Sequence, residues 1–260
     1  MKFDFLSESD QAYFIHKAST LVEALPYIRQ HSGEIIVIKY GGHAMGDPKL
    51  SKNFSKDIGL IKEVGIHPII VHGGGPQIGE RLKLKNIQSK FVEGLRVTDK
   101  EIIKVVEEVL SKDINKEIVD SINESGAKAV GLSGNQDNLI KAEKLQVEVK
   151  DTDSNIEKLV DIGFVGQPLN VNIELIMSYV NNGEIPVIAP LGQDSQNNCY
   201  NINADTAAGF IAGQIKASKL LLLTDIAGIL DKNNKLISTL SLKRAKEIAE
   251  ENFISGGMKP

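Results

Sequence analysis

Lys39 closes the run Glu34-Ile-Ile-Val-Ile-Lys39, apolar between its two charged ends, and Tyr40-Gly41-Gly42 follows at once. Lysine is rarely buried without a partner. An amine at this strand end is therefore placed to meet an anion, such as the charge that builds on a phosphoryl group in transit. Without the glycines, a strand-end lysine reaching into water would be the better reading. A second cluster, His72-Gly-Gly-Gly75-Pro76, follows another apolar run. Glycine lets the backbone approach an anion and turn its N–H groups toward it, and a helix that follows adds a positive dipole end. Neither region fits a standard nucleotide fingerprint. Ile78 stands where G-x-G-x-x-G needs its third glycine, and Leu132 stands where P-loop spacing over 126–133 needs lysine. Taken singly, either glycine cluster serves equally well as a tight turn.

Arg96, in Glu93-Gly-Leu-Arg-Val-Thr98, can grip a carboxylate through two parallel hydrogen bonds, although an ordinary surface ion pair explains one arginine as well. In Asn201-Ile-Asn203-Ala-Asp205, Asn203 is an N-cap candidate for the apolar helix that follows. Asp205 then falls in the first turn, where the helix dipole favours a carboxylate. A fixed acid there can also hold a nearby lysine in place. Thr224-Asp225-Ile-Ala-Gly228-Ile-Leu230 leaves another apolar run and forms a strand-end loop suited to a nucleotide. The five histidines show no metal-ligand spacing; His67 and His72 flank a strand and read as packing or turn residues. The absence of G-x-S-x-G disfavours acyl transfer through a nucleophile elbow.

These residues need a scaffold that brings strand ends together. Glu34–Lys39, His67–Val71, Ala127–Gly131, Ile185–Ala189 and Lys219–Leu223 read as short strands buried on both faces. Helical patterns alternate with them. One starts at Asp47-Pro48 and carries Leu50, Phe54, Ile58, Ile61 and Val64. Another opens at a Thr98–Glu101 capping box and carries Ile102, Val106, Val109 and Ile122; a late helix covers Ser241–Asn252. Alternation of apolar and polar residues between Asn138 and Val165 predicts antiparallel hairpins beside the main sheet. The expected fold is a three-layer α/β/α sandwich with an open, mainly parallel sheet, inserted β-hairpins and an N-terminal helix. In such a sheet, ligands bind at the carboxyl ends of the strands. The N-terminal stretch, with Phe14, Ala18, Leu21, Val22 and Leu25 at helical spacing and a break near Pro26, reads as a packing helix or, more sharply, as one that docks a partner subunit.

Of 260 residues, 42% are apolar and 25% charged, which excludes disordered and fibrous classes. Thirty basic against thirty-four acidic residues give a net charge of −4, a poor footprint for nucleic acid. No apolar run is long enough to span a bilayer, and the first residues lack a secretory pattern. The single cysteine, Cys199, excludes an internal disulfide and argues against a cysteine-rich zinc site. A cytoplasmic protein with small-molecule chemistry is expected, without membrane or nucleic-acid partners.

Five segments in order, Val37–Gly42, Val71–Pro76, Gly94–Thr98, Asn201–Asp205 and Leu223–Asp225, resemble the amino acid kinase family over roughly 18–260. The second and third point to its acetylglutamate branch over the aspartate and carbamate kinases. The resemblance implies transfer of the ATP γ-phosphate to the side-chain carboxylate of N-acetyl-L-glutamate in arginine biosynthesis. It implies no protein-held metal, the Mg2+ being carried mainly on the phosphates. By the same resemblance, Lys39 would stabilise the transferring group and Asp205 would organise the site. Gly74, Gly75, Arg96 and Asn201 would hold the acid. Gly41 and Gly42 would line the phosphate region, and the loop bearing Thr224, Asp225, Gly228 and Leu230 would touch the nucleotide. It further implies a helical extension (1–33), an acid-binding lobe (34–190) and a nucleotide lobe (191–260). The extension resembles that of arginine-inhibited members, whose N-terminal helix joins dimers into a hexameric ring; a homodimer or homohexamer is expected, with Tyr13 near an arginine site.

Two departures stand beside this. Gly134-Asn-Gln-Asp137 is poorer in lysine and glycine than the family form, and the sequence given stops at Ser255-Gly-Gly-Met-Lys-Pro260, where the family motif runs on to a second phosphate-binding lysine. Lys259 falls two positions too early for that role. The expectations are therefore an acetylglutamate kinase whose sequence continues, a kinase for another acidic amino-acid derivative, or a non-catalytic relative that keeps the pocket without the second lysine.

Overall fold

The structure, a computed structural model, describes residues 7–150, 157–224, 228–231, 233 and 235–250. Along the chain run α1 (Glu8–His31), β1 (Ile35–Tyr40), α2 (Pro48–Glu63), β2 (His67–His72), α3 (Gly75–Leu84), β3 (Phe91–Val92), β4 (Leu95–Arg96), α4 (Lys100–Glu108), a π-helical turn (Val109–Ile114) and α5 (Asn115–Glu124). There follow β5 (Ala129–Ser133), β6 (Ile140–Lys144), β7 (Val147–Lys150), β8 (Glu157–Val160), β9 (Gly166–Val171), α6 (Ile173–Asn181), β10 (Ile185–Ala189), β11 (Leu191–Gln193), β12 (Cys199–Asn201), α7 (Ala204–Ile215), β13 (Lys219–Leu222) and α8 (Leu242–Glu250).

The central sheet has the order β13-β1-β2-β10-β5, with every neighbouring pair parallel. One apolar cluster joins α2, α4, the π turn and α5 to one face of it; another joins α6 and α7 to the opposite face. This is the expected three-layer sandwich. The expected hairpins are present too: β7 pairs antiparallel with β8, and β6 with β9. Register fixes where the loops emerge. Lys39 is level with Val71 and Leu222, and Tyr40 with His72, so the loops after β1, β2 and β13 leave the sheet at one height. Among the described residues, no helix is long and apolar enough to cross a membrane.

The helix predicted from Asp47-Pro48 starts there, with Asp47 Oδ1 accepting from the Lys49 and Leu50 amides and Pro48 at the position where its missing N–H costs nothing. Five expectations are corrected. Asp99, not Thr98, caps α4, accepting from the Glu101 and Ile102 amides. Thr98 is committed elsewhere: it is buried, bridges to Gly163, and its hydroxyl donates to the Arg96 carbonyl at 2.7 Å. The helical run after it is interrupted by the π turn, although its apolar stripe is buried as the spacing predicts. The predicted break near Pro26 does not occur; α1 runs through it, forfeiting one backbone hydrogen bond while the turns on either side continue. Finally, β13 lies at the sheet edge, and Leu220 to Leu223 stay between 37% and 50% exposed where burial on both faces is predicted. No residue of α1 is buried; Tyr13, Phe14, Leu21, Val22 and Tyr27 are all exposed. The packing-helix reading therefore fails within this chain.

Candidate active site

Three neighbouring parallel strands end at the same height, so their loops share one space. There the structure forms a cleft of about 200 Å³ whose lining includes Lys39, Gly41, Gly42, Gly74, Gly75, Arg96, Asn201 and Asp205. Eight of the sequence-derived site residues thus meet in one cavity. Thr224 begins the loop beyond β13, next to the site, since the Leu223 amide donates to the Lys39 carbonyl at 3.0 Å. Gly228 and Leu230 are not among the cleft's lining residues. They belong to a turn in which Leu230 bridges Leu236 and the Ile237 amide donates to Ile229. Asp225 lies outside the described residues, as does Lys259.

Lys39 does not reach into water. Its side chain is 13% exposed, and Nζ sits 3.1 Å from Asp205 Oδ1. At such a distance in a partly wet site the attraction amounts to ~4 kcal/mol before desolvation, which cancels most of it. The pair's consequence is therefore orientation: the ammonium is held at one spot in the cleft. Asp205 is itself fixed because Asn203 Oδ1 caps α7, accepting from the Asp205 and Thr206 amides at 2.9 and 3.0 Å.

The two glycine loops touch each other. A Cβ on Gly73 would lie 3.6 Å from the Gly41 Cα, and one on Gly41 would lie 3.1 and 3.2 Å from Lys39 Cε and Nζ. A side chain at Gly73 would therefore make ordinary contact, whereas one at Gly41 would press on the Lys39 amine. Gly42 has φ +71°, a conformation that other residues adopt only with strain.

Arg96 is 8% exposed, and among the described residues its guanidinium has neutral partners. Nη1 donates to Ser89 Oγ at 2.5 Å, Nη2 donates to the Gly75 carbonyl at 2.9 Å, and the group stacks 4.6 Å from the Phe91 ring centroid. Burial lowers its pKa from the usual arginine value. An aromatic face and two neutral oxygens do not neutralise a buried cation, so the surface ion-pair reading fails. A guanidinium so placed can take up an anion in the cleft. Asn201 reaches the same space on β12, whose Asn201 amide donates to the Phe164 carbonyl; the Phe164 amide donates in turn to Thr98, two residues from Arg96.

Sequence reasoning missed Ser89 and Phe91, which position Arg96, and the hydrogen bonding of His72. His72 is fully buried. Its Nδ1 donates to the Gly73 carbonyl at 2.9 Å, while Nε2 accepts from Asn115 Nδ2 at 3.2 Å. Desolvation lowers its pKa to about 4, so it is a neutral imidazole at ordinary pH. Cys199 is half-buried, and burial together with the nearby Glu107 pushes its thiol up to about 12.

Comparisons with known proteins place this geometry. The chain is 53% identical to the acetylglutamate kinase of Rhodospirillum rubrum over 247 residues, covering 95% of this chain and 80% of that protein. It is 52% identical to the acetylglutamate kinase of Rhodospirillum centenum, covering 95% and 81%. Among solved structures, it resembles that of smu.665 from Streptococcus mutans with a TM-score of 0.74 at 30% identity, covering 87% of this chain and 86% of that one. Residues 34–260 match the Amino acid kinase family. Fold, strand-end cleft and sequence agree: the chain belongs to the amino acid kinase family.

Proposed function

We propose that this chain transfers the γ-phosphoryl group of MgATP to the side-chain carboxylate of N-acetyl-L-glutamate, a step of arginine biosynthesis in the cytoplasm. The observation that carries the reading is a pair of cations, the half-buried Lys39 and the buried Arg96, in one glycine-walled cleft. Such a site fits two anions at once: a carboxylate-bearing acid and a triphosphate. The identity to acetylglutamate kinases selects the acid.

The chemistry needs little more than alignment. A glutamate-like side chain has a pKa near ~4.3, so it is an ionised nucleophile at neutral pH and requires no general base. This suits a cleft in which the one neighbouring histidine, His72, is buried, neutral and already hydrogen-bonded. In this reading Arg96, Gly74, Gly75 and Asn201 hold the acid with its side-chain carboxylate toward Lys39. The carboxylate oxygen attacks γ-phosphorus in line, the bond to the β-bridging oxygen breaks, and ADP leaves with that electron pair. Lys39 neutralises charge on the transferring group, Asp205 keeps the ammonium in position, and Gly41, Gly42 and Gly74 supply close backbone approach. By its likeness to acetylglutamate kinases, the loop that Thr224 begins would touch the nucleotide, the role assigned to Thr224, Asp225, Gly228 and Leu230. Among the described residues, no group of three or more His, Cys, Asp or Glu could hold a metal ion. Mg2+ would arrive on the nucleotide's phosphates and screen their charge. Residues 34–190 would then form the acid lobe and 191–260 the nucleotide lobe.

The unpartnered apolar residues of α1 favour an assembly in which this helix docks between dimers to form a hexamer, with arginine as an inhibitor bound near Tyr13. Deleting residues 1–17 is expected to leave a dimer by light scattering; an unchanged mass would refute the docking role.

The substrate assignment is tested by trapping the acyl phosphate with hydroxylamine over a panel of acids. Strong hydroxamate formation with N-acetyl-L-glutamate is expected. Preference for a longer diacid would reassign the substrate, and no hydroxamate with any acid would leave a ligand-binding protein.

A further inference from the structure

His72 carries a role that the glycines after it do not explain. Its imidazole lies beneath the loop, fully buried, and Nδ1 donates to the Gly73 carbonyl at 2.9 Å. Among the described residues no peptide bond is cis, so the carbonyl of Gly73 and the N–H of Gly74, which share one peptide plane, point in opposite directions. Drawing the carbonyl toward the imidazole therefore turns the Gly74 N–H away from the imidazole. Gly74 lines the cleft, and its N–H donates to no described acceptor, while its carbonyl receives the Ile78 amide in the first turn of α3.

The imidazole is itself clamped. Asn115 is buried and donates through Nδ2 to His72 Nε2 at 3.2 Å and to the Val187 carbonyl of β10 at 2.8 Å. That arrangement leaves Nε2 as acceptor and assigns the ring proton to Nδ1. Asn115 reaches this position because the π turn ends there. The extra residue of such a turn rotates the helix and is often found beside functional sites. Leu110 and Ile114 of the same turn fill the space that a Gly74 Cβ would occupy, each 2.6 Å from it. Arg81 of α3, whose Nη2 donates to Asp113 Oδ2 at 2.8 Å, ties the turn to the helix that follows the loop.

We infer that His72, clamped by Asn115 and the π turn, is a positioning residue that aims the Gly74 N–H at the anion in the cleft. The inference rests on the phosphoryl-transfer reading for its rate effect, but not for its geometry. A donor aimed at developing charge is typically worth 10²- to 10³-fold in rate, and losing its aim rather than the donor itself falls at the low end.

Two substitutions separate this role from simple core packing. His72→Asn keeps a donor where Nδ1 stands, whereas His72→Leu fills the space and donates nothing. With both variants folded by circular dichroism, kcat for hydroxamate formation is expected to fall ~30-fold or more in His72→Leu and to stay within ~3-fold of wild type in His72→Asn. KM for both substrates should change by less than ~3-fold. Equal rates in the two variants, or a folded His72→Leu at wild-type kcat, would overturn the inference. If His72→Leu does not fold, or wild type makes no hydroxamate, the Gly74 amide resonance decides on wild type and His72→Asn. A shift on titration with MgATP supports the aimed N–H, and an unmoved resonance overturns it. Absent hydroxamate with a responsive Gly74 sinks the proposed reaction and leaves the positioning role standing.

Discussion

Lys39 Nζ lies 3.1 Å from Asp205 Oδ1, an amine from the end of the second strand in the sheet order and an acid from the first turn of α7. The contact joins two segments far apart in sequence and converts two isolated residues into one oriented cation. Lys39→Ala is expected to lower kcat by ~10²- to 10³-fold while leaving N-acetylglutamate binding by calorimetry unchanged. Asp205→Asn should lose less, since the amine remains but is less firmly held. Comparable loss of acid affinity in Lys39→Ala would contradict the assignment.

Gly41→Ala tests the same amine without removing it. The added methyl would lie 3.2 Å from Nζ, and the lysine is flexible enough to move aside. Thermal stability is expected to change little, and kcat to fall by roughly tenfold as the ammonium leaves its place. A fully active variant would show that the close approach does not matter, and an unstable one that the lysine cannot move aside.

Arg96→Lys keeps the charge and loses the planar fork. The expected result is a KM for the acid raised ~10- to 100-fold with kcat within a few-fold, reflecting lost charge-assisted hydrogen bonds. A change confined to the KM for ATP would move Arg96 to the other substrate.

Gly74→Ala would overpack Leu110 and Ile114, costing about 1–3 kcal/mol of stability by thermal unfolding. Its φ of 172° is ordinary extended backbone, so the cost is steric and shortening Leu110 to alanine in the same chain should recover part of it.

Burial lowers the pKa of His72 from the usual 6.5 to about 4. Between these values the unfolded chain binds a proton that the native chain refuses, so unfolding free energy rises with pH through that window and is fully present above it. The loss on going from pH 7 to pH 4 from this group is roughly 3 kcal/mol. His72→Asn should show a correspondingly flatter stability profile over pH 4–6.5 in urea titrations, and an unchanged slope would mean that the imidazole is not desolvated.

Much of this arrangement is legible in local sequence. Asp47-Pro48 starts α2 and Asn203 caps α7 because capping is a short-range bond between neighbours. The convergence of Lys39 with the His72–Gly75 loop follows from parallel strands in matched register. What the sequence hides is long-range. The bond between His72 and Asn115 links positions 43 residues apart, and it depends on a π turn that a 3.6-residue periodicity does not reveal. Thr98 has the residue type of a cap but spends its backbone on Gly163, so Asp99 caps instead. The leucines of β13 read as a buried strand because hydrophobicity does not say which strand is at the edge.

Isotope transfer tests the central claim most directly, that an ionised carboxylate and a triphosphate meet in one cleft. N-acetyl-L-glutamate labelled with 18O in its side-chain carboxylate is incubated with MgATP and hydroxylamine, and the released phosphate is analysed by mass. Attack by the carboxylate places its own oxygen on phosphorus, so phosphate carrying one 18O is predicted, absent in Lys39→Ala. Unlabelled phosphate released at the wild-type rate would mean that water, not the acid, attacks the nucleotide, and would contradict the account.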